Sequence, residues 1–406
     1  MATSMSIDLS FREDVLHAVA KVDMSKAPVD SFSFIMNIGL HIHKVVCNGK
    51  AAKWEIIGER QIASFISHAS EVCVSFSAPI NNIEIYYSGG IPTANWDEIA
   101  LGKVKGAAGY NIISDQLKAL SYHSVWYPEE TSTKISENAV VLHGCSNYIV
   151  INGIYDKKSD TWRYGGHGHP PHNIIAYRRD SVKLISNPYI DIYYLDDNYT
   201  EYVNRSARYY KDVLEYYNGD LYQRTNIPKC IVACLMPVLT EGGAYVESNG
   251  LMVTTVLPKE EYELVQLNAH ETAHYWCMGA TSNWEDWLNE TFAEWSALMY
   301  ALDSGNTKLF DFMLNRWDRL EIYKAFPPIK TEDGKRPDGV HHRGVILLYY
   351  VYLKHGKDAI RAILQTFVSL NTKNTDELLK YLHDKVDSTI PDMIRRGLIL
   401  RDYALL

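Results

Sequence analysis

A chain of 406 residues with 47% hydrophobic and 22% charged residues is long enough for two or three domains with substantial cores, and too apolar for wholesale disorder. Its formal net charge of −9 argues against a general nucleic-acid surface. Six scattered cysteines exclude a dense secreted disulfide framework; with no basic-then-apolar leader and no apolar run of membrane-spanning length, the expectation is a cytoplasmic protein with neither nucleic-acid nor membrane partners.

From about Val29 to Leu195 short β-rich runs alternate with turn signals. The stretch from Phe32 to Ile57 holds extended segments on either side of Asn48-Gly49, and Glu71 to Gly90 holds two more around Pro79–Asn82. Such runs favour antiparallel strands joined by hairpins. Later strand candidates are AVVLHG, NYIVING, HNIIAYR and IDIYYL, so residues 1–202 are expected to form a β-rich saddle or sandwich domain. His41 and His43 share one side of their strand and read as ordinary sheet packing. The cluster His167-Gly168-His169-Pro170-Pro171-His172 reads as a solvated loop near the domain boundary, because Gly and two Pro leave the ring directions unfixed.

The second domain, 203–406, opens with a helix over Val203–Tyr217, followed by a central strand in KCIVACLMPV. Cys230 and Cys234 have a turn-like spacing, but their apolar surroundings make them buried free thiols. Glycines then flank a strand ending near Thr254, where an edge of a cleft can approach a substrate backbone.

The organising stretch is 264–295. In His270-Glu271-Thr272-Ala273-His274 the two imidazoles are four positions apart, slightly more than one helical turn, so both project from one face and can grip one ion. Glu271 lies next to that face, placed to take a proton from an activated water; H-E-x-x-H is the zincin pattern. A catalytic zinc needs a third protein ligand and an open position. Trp287–Trp295 reads as a second helix, with Glu290 and Glu294 one turn apart, and Gly279 with Thr281–Asp286 provides the break that lets it return across the first. Glu290 is the preferred third ligand. Phe310–Ile322 continues the helical domain, Pro327-Pro328 and Thr331–Pro337 form an interruption or exposed loop, and VILLYYVYLKHG forms an apolar helix that ends near Gly356. Helical segments broken at Asn371–Asn374 and near Pro391 complete the chain.

These residues resemble the gluzincin peptidases, and within them the M1 aminopeptidase family, whose HExxH and WLNEGFAE motifs are matched by His270–His274 and Trp287–Glu294. The connection from His274 to Glu290, 15 residues, is shorter than the family's. The resemblance implies a multidomain α+β fold, the β-rich domain preceding a thermolysin-like, mainly helical zinc peptidase domain. It also implies one Zn2+ held by His270, His274 and Glu290, with Glu271 as general base and Glu294 as a carboxylate behind the ligands. Ala244-Tyr245-Val246-Glu247-Ser248 aligns with the family's GxMEN strand, which makes Glu247 the residue that binds the free α-amine of a peptide. A looser likeness to the family's β domain lies around 33–49 and at Ser124–Pro128.

The family's Tyr, which hydrogen-bonds the tetrahedral intermediate, is replaced by His341 in His341-His342-Arg343-Gly344. His341 either donates to the developing oxyanion or marks an altered activity. The tail after Asp358 is too short for the family's large carboxy-terminal helical domain, which implies an open cleft that an oligomer or partner would complete. The expected function is that of a zinc-dependent aminopeptidase acting on peptides with a free N-terminus. The alternatives are a zinc endopeptidase, another zinc hydrolase, or a noncatalytic peptide-binding scaffold.

Overall fold

In strand Val15–Asp23 the residues Leu16, Ala18, Ala20 and Val22 are buried while Val15, His17 and Val19 between them are half-buried. That alternation is what a sheet with one face on a core requires. The computed structural model describes residues 3–13, 15–61, 68–91, 111–121, 124–130, 135–167, 173–223, 229–236, 244–246, 251–255, 257–280, 283–331 and 334–406. Among them the first half is almost entirely strand.

Its largest sheet has eight strands, in the order Ile154–Asp156, Thr161–His167, Ile135–His143, Thr3–Arg12, Val15–Asp23, Asn82–Gly89, Leu40–Cys47 and Lys50–Ala51. All these pairs are antiparallel except Thr3–Arg12 with Ile135–His143. A four-stranded sheet built on Val29–Asn37 and His68–Ile80 shares one core with it, filled by Phe32, Phe34, Val72, Ile83 and Ile85. The Asn48-Gly49 hairpin is present: Asn48 and Gly49 both have positive φ, and the Asn48 side chain accepts from the backbone of Asn81 and Asn82.

The second half is organised on a five-stranded sheet, in the order Lys183–Ser186, Ile190–Tyr194, Cys230–Cys234, Leu251–Thr254 and Ala244–Val246. The three central strands are parallel and the two edges antiparallel. Ile190–Tyr194 pairs with Cys230–Cys234, so this sheet begins before residue 203. Leu251–Thr254 is buried at every position because both faces are covered. Val232, Cys234 and Met252 face the helices, whereas Ala233, Leu251 and Val253 join Leu117, Ile175 and Tyr177 of another four-stranded sheet. This apolar layer, with Tyr177 Oη donating to the Cys234 carbonyl at 2.8 Å, fixes the two halves together. Cys230 and Cys234 are buried free thiols, and burial pushes both up to about 12.

Among the described residues the α-helices are α1 (Thr200–Tyr216), α2 (Glu261–Ala273), α3 (Asp286–Asp303), α4 (Thr307–Asn315), α5 (Arg319–Ile322), α6 (Val340–His355), α7 (Lys357–Ser369), α8 (Thr375–Lys385) and α9 (Thr389–Gly397). Asn306 and Asn374 cap α4 and α8 by accepting from Leu309 and Glu377 N–H. No helix among the described residues is long and apolar enough to cross a membrane.

Candidate metal centre

Helix α2 is buried on nearly every side, including its polar residues Gln266, Asn268, His270, Glu271 and Thr272. A helix with no solvent face must find partners for such groups inside the protein. Asn268 pairs with Ser206 of α1, and Gln266 donates to Glu294 Oε2 at 2.9 Å. His270 Nδ1 lies 2.8 Å from the same oxygen. His274 caps the helix with α-helical backbone angles, which keeps its ring on the face of His270.

The two Nε2 atoms stand 3.2 Å apart, with the rings nearly perpendicular. Glu290 Oε2, from α3, is 3.4 Å from His270 Nε2 and 3.8 Å from His274 Nε2. The turn that returns α3 across α2 is pinned by Asn289, whose side chain bonds both the N–H and the carbonyl of Ala280, while Gly279 takes φ of 115°. The donor atoms of the three candidate ligands selected from the sequence therefore lie within 3.8 Å of one another. Glu271 is beside them, 6% exposed, with Oε2 lacking any hydrogen-bond partner.

His341, the second residue of α6, enters the same cluster: its Nδ1 is 3.5 Å from Glu290 Oε2. Ligand atoms of His270, Glu290 and His341 all lie within 4.8 Å of one another, an arrangement able to hold a metal ion. Glu294 lies behind His270, 1% exposed, with Oε1 accepting from Arg319 Nη1 at 2.7 Å. Glu247 lies outside the described residues, directly after edge strand Ala244–Val246; residues 168–172 of the histidine cluster also lie outside them.

Two supporting residues were missed in the sequence. Gln266 was legible, since it sits one turn before His270 on the same helical face. Arg319 was not, because it comes from α5 and nothing in its neighbourhood marks it as buried.

The electrostatics suit a cation. Burial alone would lower the His270 pKa, but hydrogen bonds to Glu290 and Glu294 overcome this and raise it to about 10, so positive charge is favoured at this point. Burial lowers His274 to about 4, leaving a neutral ring with a lone pair to offer. Glu290 is held well below the usual carboxylate range: burial opposes ionisation, and His341, His270 and His274 outweigh it. Imidazole nitrogens converging with one carboxylate oxygen are a donor set that fits zinc. Burial pushes Glu271 up to about 7, near the pKa at which a general base is most effective at neutral pH.

No protein-family model and no curated protein matches the sequence. Solved structures do. An M1 zinc metallopeptidase from Deinococcus radiodurans, in a mutant form bound to a Tyr-Ser-Ala substrate, is 15% identical, with 98% of this chain and 94% of that one aligned at a TM-score of 0.66. Another structure of an M1 zinc metallopeptidase from Deinococcus radiodurans is 16% identical over the same shares, at 0.63. Native leukotriene A4 hydrolase from Saccharomyces cerevisiae is 12% identical at 0.61, covering 98% of this chain and 66% of that enzyme. At such identities the likeness is one of fold, and it bears out the resemblance read from the HETAH and WLNETFAEW stretches: this chain has the two-domain architecture of the M1 zinc metallopeptidases, a β-rich region followed by a thermolysin-like, mainly helical one.

Proposed function

We propose that the chain is a zinc-dependent hydrolase of peptide bonds. The observation that carries this is the convergence of His270 Nε2, His274 Nε2 and Glu290 Oε2 beside a buried Glu271 whose Oε2 has no other partner. A scaffold that only bound peptides would have no use for an uncommitted buried carboxylate next to such a cluster, since an unpaired polar atom costs stability. A zinc ion held by these three residues would polarise the scissile carbonyl and acidify a water.

Glu271 takes the proton of the attacking water on Oε2 and passes it to the departing amine. Glu294 fixes the His270 ring through Nδ1, so that Nε2 faces the ligand cluster. The narrower assignment is an aminopeptidase. Ala244–Val246 is an edge strand of the five-stranded sheet, and such an edge can pair with an extended peptide backbone. Glu247 immediately follows it, where a carboxylate selects a charged amine by charge-assisted hydrogen bonds.

The test is cleavage of a peptide library by the zinc-loaded protein, with each peptide supplied free and amino-acetylated. Release of single residues from free peptides only supports the aminopeptidase. Cleavage of acetylated peptides supports the endopeptidase or another zinc hydrolase. No hydrolysis of either set by protein carrying stoichiometric zinc would overturn the proposal.

A further inference from the structure

The cluster holds one imidazole more than a catalytic zinc needs. His341 Nδ1 points at the same Glu290 oxygen that the other two imidazoles approach, at 3.5 Å against 3.4 and 3.8 Å. Its ring centroid is 6.0 Å from that of His270. A residue built to stabilise an oxyanion must aim at the substrate, away from the ligand set. A ligand must lie where other ligands meet, and the donor atoms of His341, Glu290 and His270 all lie within 4.8 Å of one another.

Its position is fixed by backbone packing. Gly344, three residues later and therefore on the same face of α6, lies against Thr291, the residue after Glu290. Gly339, with φ of 69°, starts the helix against the ring of Phe326. These close approaches hold the first turn of α6, and His341 with it, over the Glu290 carboxylate.

We propose that His341 is a fourth protein ligand to the metal in the resting protein, through Nδ1, beside His270, His274 and Glu290. The inference rests on the zinc-hydrolase reading and adds a consequence to it. Four protein donors close a tetrahedral site, the arrangement of structural zinc, whereas a catalytic site keeps one position open. The His341 side chain is 35% exposed, against 9%, 7% and 19% for His270, His274 and Glu290. It is the ligand at the solvent edge, and a substrate reaches the metal by displacing it. The resting protein is then self-blocked, and the replacement of the family's Tyr by His turns an oxyanion donor into a gate.

X-ray absorption on the zinc-loaded full chain counts coordinated imidazoles, and competition with a chromophoric chelator measures affinity. Wild type is expected to show three imidazoles. His341→Ala is expected to show two, with the zinc dissociation constant raised by more than about 100-fold, beyond the roughly 10–100-fold that losing an outer partner costs. Melting of the zinc-free forms checks folding, and His341→Gln, which keeps a polar side chain without an imidazole, serves as the second variant. Two imidazoles in the wild type, or unchanged count and affinity in folded His341 variants, overturn this inference and leave the zinc-hydrolase reading standing. A wild-type protein that takes up no stoichiometric zinc overturns both.

Discussion

His270 is oriented by Glu294, whose Oε2 lies 2.8 Å from the ring's Nδ1 while Oε1 accepts from Arg319 at 2.7 Å. Arg319 and Glu294 are each 1% exposed, so neither charge has water to fall back on. Arg319→Met leaves the buried Glu294 with His270 in place of two cationic partners. A loss of about 3–5 kcal/mol in urea unfolding of the zinc-free protein is expected, together with zinc affinity reduced by about 10–100-fold. A folded variant with unaltered zinc affinity would separate Arg319 from the metal centre.

Glu271→Gln removes the proton acceptor and keeps the side-chain volume. The variant is expected to bind zinc as the wild type does and to lose about 100- to 10,000-fold in kcat, with little change in KM. Retained turnover at full zinc occupancy would show that another group moves the proton.

Gly344 is where α6 meets α3. A methyl group added there would meet the Thr291 Cβ at 2.9 Å, and Thr291 is fully buried in a packed helix. Gly344→Ala is expected to cost about 1–3 kcal/mol and to push the first turn of α6 off α3, taking His341 from Glu290. Equilibrium unfolding measures the first effect and imidazole counting the second; a variant as stable as wild type would mean that Thr291 yields without cost.

Asp303 sits in the last turn of α3, a poor place for a carboxylate. Lys357 at 2.8 Å, Arg361, and the Tyr216 hydroxyl at 2.6 Å compensate. Burial alone would raise its pKa, but these partners hold it below the ordinary value. A lowered carboxylate contributes stability that is present above its unfolded pKa of about 3.9 and is lost as pH falls through the folded pKa. Asp303→Asn is therefore expected to cost about 1 kcal/mol above about pH 5, and the gap from wild type should close below about pH 4. A gap independent of pH in urea titrations would remove this ion cluster from the acid response.

Much of the fold was legible because its signals are local. The turn at Asn48-Gly49 marks paired strands, and His270 and His274 fall on one face because a helix repeats near four residues; strands Thr3–Arg12 and Val15–Asp23 lie ahead of Val29, where the strand reading began. The strand Ile190–Tyr194 was found as a strand, but its partner, Cys230–Cys234, lies beyond α1, and nothing in either run states the pairing. That Glu290 comes close to His270 and His274 was legible from its motif. The hydrogen bonds of Gln266 and Arg319 to Glu294 were not, because they join three helices at one carboxylate.

The sequence by itself determined the kinds of group available and their order along each helix: two imidazoles one turn apart, a carboxylate beside them, and two more one turn apart on the next helix. Only the tertiary structure decided which of those groups meet. It brought His341 from α6 to the Glu290 carboxylate and Arg319 from α5 to Glu294. The reason is physical: spacing within a helix is set by backbone geometry that any stretch carries in itself. The approach of one helix to another is set by side-chain volume at the contact, here a glycine against a threonine, and that has meaning only once both are in place.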